Sequence, residues 1–277
     1  MSFAKCIGGF MFATLVPLAS SAQNAMTAQA ASDESPGAAG AASSADASAR
    51  RESPIAAFAY AAEGSAAKTI GVTAYGLGLA AVGQDRVVGG GGSIWGSPVR
   101  RLTLVVDGQR NLSREFSPSA AMILNFYGNG ADGLSLGALG KFKIDGFAGG
   151  PSRDEIESEV ELGALLSYRG ASWYVDANAI AGRGMGDDGE MDTEARLRFG
   201  RALGSYVRLG FDGQVRARVA GPRLLPNGRS WDFAAGPQAL LAWDRWFGSV
   251  TAGPATTGVV SRNVGWLAML SVGASAF

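Results

Sequence analysis

The sequence predicts an all-β chain closed into a transmembrane, antiparallel, up-and-down β-barrel of about 12 strands, in the range 10-12. Three observations carry this. Charged and apolar residues alternate through four consecutive segments between Asp154 and Val219, most plainly in Glu155-Ile156-Glu157-Ser158-Glu159-Val160-Glu161-Leu162, where every odd position is glutamate. A period of two makes a strand with two unlike faces, whereas a helix would scatter the glutamates around its circumference. The connections between these segments are long and short in turn, as in a barrel with large loops at one rim and tight turns at the other; a soluble sandwich has no reason to keep that order. Past the first residues there is no run of about 18 apolar residues, so a helical membrane span is excluded.

From the start of the chain, Lys5 is followed by an apolar run from Ile7 to Leu18 and then by Ala19, Ser20, Ser21 and Ala22. Residues 1–22 read as a secretory signal peptide cleaved after Ala22, its apolar core being shorter than the roughly 20 residues of a span. Cys6, the one cysteine, lies ahead of the apolar run rather than at its end, so neither a lipid anchor nor a disulfide is expected in the mature chain. Residues 23–54 are rich in Ala, Ser and Gly and bury too little apolar surface to offset their ordering entropy, which predicts a disordered leader. The barrel occupies 55–277, with Ile55 to Ala62 a candidate further edge strand.

Strands are predicted in order near 70–82, 86–95, 99–107, 119–127, 133–143, 156–168, 172–182, 192–202, 206–219, 230–243, 247–257 and 264–277. Gly76, Gly78 and the run Gly89 to Gly92 blur the alternation of the first two, and the run reads as a flexible loop or a distorted strand. Gly128-Asn129-Gly130-Ala131-Asp132-Gly133 fits G-x-G-x-x-G, but Leu134 to Leu139 with Lys141 and Lys143 continues as a strand, so an Asn-Gly turn is expected rather than a nucleotide loop. Further on the faces separate cleanly. Trp173, Val175, Ala177 and Ala179 oppose Asp176 and Asn178; Ala195, Leu197 and Phe199 oppose Glu194, Arg196 and Arg198. Val207, Leu209, Phe211, Val215, Ala217 and Val219 oppose Arg208, Asp212, Gln214, Arg216 and Arg218. The apolar faces are assigned to lipid, where only barrel closure satisfies every backbone group. Trp173, Tyr174, Tyr206, Trp231, Trp243, Trp246, Phe247 and Trp266 lie near predicted turns and suggest an interfacial girdle.

The chain ends in Trp266 to Phe277, a strand-like segment with a terminal phenylalanine. Together with the signal and the alternating strands, this resembles the Gram-negative outer-membrane β-barrel proteins, a porin-like class with no specific subfamily. The resemblance implies a place in the outer membrane, lipid and the barrel-assembly machinery as partners, Phe277 as the membrane-insertion signal, and residues 23–54 as a periplasmic leader. Ser275, Gly273 and Ser271, which share the parity of Phe277, depart from the apolar pattern of that class and point to a bulge or a degenerate signal.

The chain contains no histidine, which removes Ser-His-Asp hydrolysis and most zinc and transition-metal sites, and barrel enzymes of similar size rely on a histidine. No enzyme activity, catalytic residue, cofactor or metal is therefore expected. Asp187, Asp188, Glu190 and Asp192 lack EF-hand spacing and read as a solvated acidic loop. The 24 basic residues balance the 24 acidic ones, which gives no footprint for nucleic acid. The candidate site is a lumenal set: Glu155, Glu157, Glu159, Glu161, Asp176, Glu194, Arg196, Arg198, Arg208, Asp212, Arg216, Arg218 and Asp232. One reading is a transverse field, acids on one wall and arginines on the other, in a passive channel for small polar solutes. The other is a salt-bridge network plugging a non-transporting barrel that presents loops 145–154, 183–191 and 220–229 for adhesion or envelope integrity. Size alone does not separate them.

Overall fold

The computed structural model describes residues 59–62, 68–80, 87–110, 116–128, 133–145, 157–186, 191–220, 231–256 and 264–276. The signal peptide and leader, Glu155 and Phe277 lie outside these residues, as do Asp187, Asp188 and Glu190 and nearly all of the three long loops. Twelve strands follow in chain order: β1 (Thr69–Ala80), β2 (Val87–Val99), β3 (Leu102–Arg110), β4 (Phe116–Tyr127), β5 (Gly133–Asp145), β6 (Glu157–Arg169), β7 (Trp173–Gly184), β8 (Met191–Ala202), β9 (Val207–Ala220), β10 (Trp231–Trp243), β11 (Trp246–Thr256) and β12 (Gly265–Ala276). Each pairs antiparallel with its sequence neighbours, and β1 pairs with β12 from Ile70↔Ala276 to Ala80↔Trp266, so the sheet closes into a barrel. Closure leaves no unpaired edge, the condition a sheet must meet in lipid.

The tight turns gather at one rim. Asp244 and Arg245 alone join β10 to β11, and Asp244 takes the left-handed conformation (φ 51°), which a short side chain able to bond its own backbone tolerates. Between β6 and β7 the Gly170 N–H donates to Trp173 O (2.8 Å), and between β8 and β9 the Leu203 N–H donates to Val207 O (2.9 Å). The first residue of β1 and the last of β12 lie at this same rim.

Two sequence expectations are corrected here. A turn was expected between strands ending near 95 and beginning near 99, but β2 runs on to Val99 and the turn is Arg100–Arg101. The register shifts between Gly96↔Leu104 and Val99↔Leu102, which puts Pro98 in a bulge, where its missing N–H breaks no ladder bond. Of the candidate edge strand Ile55 to Ala62, residues 55–58 lie outside the described residues, and Ala59, Tyr60, Ala61 and Ala62 are not an edge but buried against the inner wall. In a sheet already closed by β1 and β12 there is no edge for them to extend.

Burial alternates as the sequence pattern requires. On β7 the even residues Tyr174, Asp176, Asn178, Ile180 and Gly182 are buried, while Trp173, Ala179 and Ala181 are exposed. Ile94, Val106, Leu162, Leu197, Leu209, Val215, Leu241 and Val250 stand exposed outside, far more continuous apolar surface than a soluble monomer carries. Trp173, Tyr206, Trp243 and Trp246 flank this band at the tight-turn rim and Trp231 and Trp266 at the other, the arrangement of two interfacial girdles. Tyr174 and Phe247 are not part of it, because strand parity turns both inward.

The glycines that blur the early alternation lie within β1 and β2, with open space where a Cβ would stand at Gly76 and Gly78, whereas Gly71 and Gly273 have a packing role. The Trp95 ring on β2 lies over Gly71 of β1, and the Phe247 ring on β11 lies over Gly273 of β12; a Cβ at either glycine would overlap the ring. The two rings then meet Val105, Leu240 and Ala242 in an apolar cluster inside the barrel.

Candidate functional site

The inner faces of β5 to β9 carry charge along most of their length, and the antiparallel register sets opposite signs side by side. Lys141 of β5 lies opposite Glu161 of β6 and Lys143 opposite Glu159, with Nζ–Oε2 separations of 3.1 and 3.6 Å. Arg216 of β9 donates through Nε to Asp192 Oδ2 of β8 (2.5 Å) and also through Nη2, and its Nη2 lies 3.9 Å from Glu159 Oε1, two strands further round the wall. This reach depends on Gly182, where a Cβ would overlap the Glu159 carboxylate and lie 2.6 Å from Asp192 Oδ1. Glu194 and Arg196, two apart on β8 and so on one face, are joined at 2.7 Å.

Nearer the tight turns, Asp176 of β7 accepts from four donors. Its Oδ1 takes Ser167 Oγ (2.6 Å) and Arg169 Nη2 (2.8 Å), and its Oδ2 takes Nε (2.8 Å) and Nη2 (2.5 Å) of Arg198. Arg198 and Arg208 both lie over the Tyr174 ring, at 5.7 and 5.6 Å from its centroid, which spreads cationic charge onto an aromatic face. Asp212 of β9 accepts from Gln238 Nε2 of β10 (3.0 Å).

Between these two networks lies the segment 59–62. The Tyr60 N–H donates to Asn178 Oδ1 (2.7 Å) and Asn178 Nδ2 donates to Tyr60 O (2.9 Å). The Ala62 N–H donates to Ser167 Oγ (2.8 Å), and Asn125 Nδ2 donates to Ala62 O (2.9 Å). The Tyr60 ring rests on Ile123, Leu139, Leu165 and Ile180 with the Arg196 guanidinium 5.0 Å from its centroid.

Of the residues singled out in the sequence, Glu159, Glu161, Asp176, Glu194, Arg196, Arg198, Arg208, Asp212 and Arg216 lie on inward-facing strand positions in or beside these networks. Arg218 sits opposite Asp192 in the register, and Asp232 of β10 opposite Arg216. Glu157 opens β6, paired with Asp145, and Glu155 and Phe277 fall outside the described residues. Acids and bases do not take opposite walls: β5 is basic, β6 acidic and β8 mixed, so the partners are immediate neighbours. Lys141, Lys143, Asn125, Ser167, Asn178 and Tyr60 belong to the site although the sequence reading left them out, and Asp192, expected in a solvated acidic loop, instead lies on β8 paired with Arg216. The two lysines share the parity of inward Ser135 and Leu139, a signal that was present; nothing in the sequence sends Tyr60 inside. Among the described residues no three His, Cys, Asp or Glu side chains converge as metal ligands.

The fold is that of the porin-like outer-membrane β-barrels, a class defined by a closed antiparallel meander with an exposed apolar band, here of twelve strands. Similar solved structures include the KdgM porin in complex with disordered oligogalacturonate, at 9% identity, 75% coverage of this chain and 99% of that chain, with a TM-score of 0.53. An outer membrane channel from Pseudomonas putida F1 is similar at 14% identity, 81% coverage of this chain and 100% of that chain, with a TM-score of 0.51. Neither a protein-family model nor a curated protein sequence matches this chain. At these identities the likeness establishes architecture.

Proposed function

We propose that this protein is a passive outer-membrane channel for small polar solutes, exported by residues 1–22 and devoid of catalytic activity, whose path follows the charged wall from β5 to β9. The supporting observation is asymmetry. Lys141, Glu161, Glu194, Arg196 and Arg216 line one side of the interior, whereas Trp95, Val105, Leu240 and Phe247 fill the other. A lumen wall of closely spaced, oppositely signed groups replaces water around a polar solute without holding either sign tightly. In the conformation described here, Ala59 to Ala62 occupies that wall, so the reading is of a closed state.

A second reading is favoured by the apolar filling and by the ion pairs themselves: a non-transporting barrel whose interior is a structural core. Planar-bilayer recording on the mature chain refolded from Gln23 separates the two. Heat-modifiable protein that gives discrete current steps, altered on neutralising Arg208, Arg216 and Arg218, supports the channel. Heat-modifiable protein that stays silent under all voltages favours the filled barrel.

A further inference from the structure

The inner wall carries polar groups that hold a backbone. The Asn178 amide donates to the carbonyl and accepts from the N–H of one residue, Tyr60, the two-point contact one strand makes with another. Ser167 and Asn125 repeat this two residues on, one accepting the Ala62 N–H and the other donating to its carbonyl. Because it is the backbone groups of residues 60 and 62 that are held, the site reads alternate residues through groups every amino acid except proline possesses. Ser167 is held in its accepting role by donating its own proton to Asp176 (2.6 Å). Gly137 completes the cradle. A Cβ there would lie 3.1 Å from Ala62 O and 3.5 Å from Ala62 Cα, so the bare backbone of β5 leaves room for the segment. Side-chain selection rests on the aromatic at 60, seated on the Ile123–Leu139–Leu165–Ile180 shelf beneath Arg196, and on the fully buried Ala62, where only a small residue fits.

We propose that Asn125, Gly137, Ser167 and Asn178 form a binding site for an extended peptide bearing an aromatic residue two positions before a small one, occupied here in cis by Ala59–Ala62. Release of the segment, as distinct from its exchange for a peptide seated in the same place, uncovers the charged wall. The binding site stands on geometry alone, and only the consequence for conduction rests on the channel reading.

The test uses the mature chain, in which position 61 is made the single cysteine (Ala61→Cys), refolded in detergent and labelled with a bulky maleimide. Ser205→Cys, on an exposed tight turn, is the reference. The buried position should react roughly tenfold or more slowly than the reference, and Asn178→Ala should recover much of that difference by removing two hydrogen bonds. Acetyl-Ala-Tyr-Ala-Ala-amide added in excess should speed labelling in a saturable way, and the same peptide with the tyrosine replaced by serine should not. Equal rates at 61 and 205 would overturn the seating of the segment. Protection that neither Asn178→Ala nor the peptide relieves would overturn backbone recognition. Ser167→Ala is the second variant should Asn178→Ala fail to refold. Release of the segment with no gain in bilayer current would count against the channel while leaving the peptide site standing.

Discussion

Arg198 holds Asp176 through two nitrogens, Nε at 2.8 Å and Nη2 at 2.5 Å from the same Oδ2, and both side chains are almost wholly buried. Such a pair contributes little net stability against an apolar substitute, but one partner removed leaves the other charged and dry. Asp176 also neutralises Arg169, so its loss takes a counter-charge from two guanidinium groups. Asp176→Asn is therefore expected to cost about 3–5 kcal/mol. The readout is the urea midpoint for loss of the heat-modifiable form. A variant as resistant as the parent would mean that water or another anion already serves these arginines.

The glycines of β1 divide into two kinds, and alanine substitution should tell them apart. Gly71→Ala places a methyl group in the Trp95 ring, whereas a Cβ at Gly76 or Gly78 meets nothing within 4 Å. Overpacking of this kind typically costs about 1–3 kcal/mol, so Gly71→Ala should lower the unfolding midpoint and Gly76→Ala should leave it nearly unchanged. Gly273→Ala should behave like Gly71→Ala, because the Phe247 ring lies over it in the same way.

The strands of this barrel were legible because each has one lipid face and one interior face, and that difference writes itself as a period of two. From β5 to β9 the inward residues are mostly charged, and strands and faces could be assigned residue by residue. From β1 to β3 the inward side is built largely from small residues, such as Thr69, Gly71, Thr73, Ser93, Ser97 and Thr103, with Trp95 lying over Gly71, and these contrast too little in hydropathy with the outer face. Tyr174 and Phe247 were misplaced for a related reason: an aromatic near a turn fits either an interfacial girdle or the end of the interior, and only parity decides. The segment 59–62 was invisible, since three alanines and a tyrosine are seated by Asn125, Ser167 and Asn178, residues more than 60 positions away. Contacts of that sequence separation exist only after the barrel has closed.

If the charged wall is the solute path, Arg216 is its most influential cation. It bridges Asp192 and Glu159 along the inner wall and keeps part of its side chain exposed. Arg216→Gln leaves two carboxylates without that counter-charge. The ratio of cation to anion permeability should then rise a few-fold, read as a shift of the zero-current potential under a salt gradient. The change should shrink at high ionic strength, where the Debye length falls to about 3 Å. An unchanged potential in a conducting barrel would move the path away from β9.

The assignment of faces carries its own prediction, independent of any function. Leu162 lies near the middle of β6 and is 65% exposed on the outer face, while Glu161 beside it is 8% exposed on the inner one. At the midplane of a bilayer an outward arginine costs about 2–4 kcal/mol, falling to about 0–1 near the interfaces. Leu162→Arg should therefore destabilise the barrel in phospholipid vesicles by the larger amount, and Tyr206→Arg, at the tight-turn rim, by the smaller. Reversible urea titration of vesicle-folded protein, followed by tryptophan emission, reads both. Equal costs for the two variants in vesicles would mean that the Leu162 face does not meet the hydrocarbon core, and the membrane orientation drawn from strand parity would have to be abandoned.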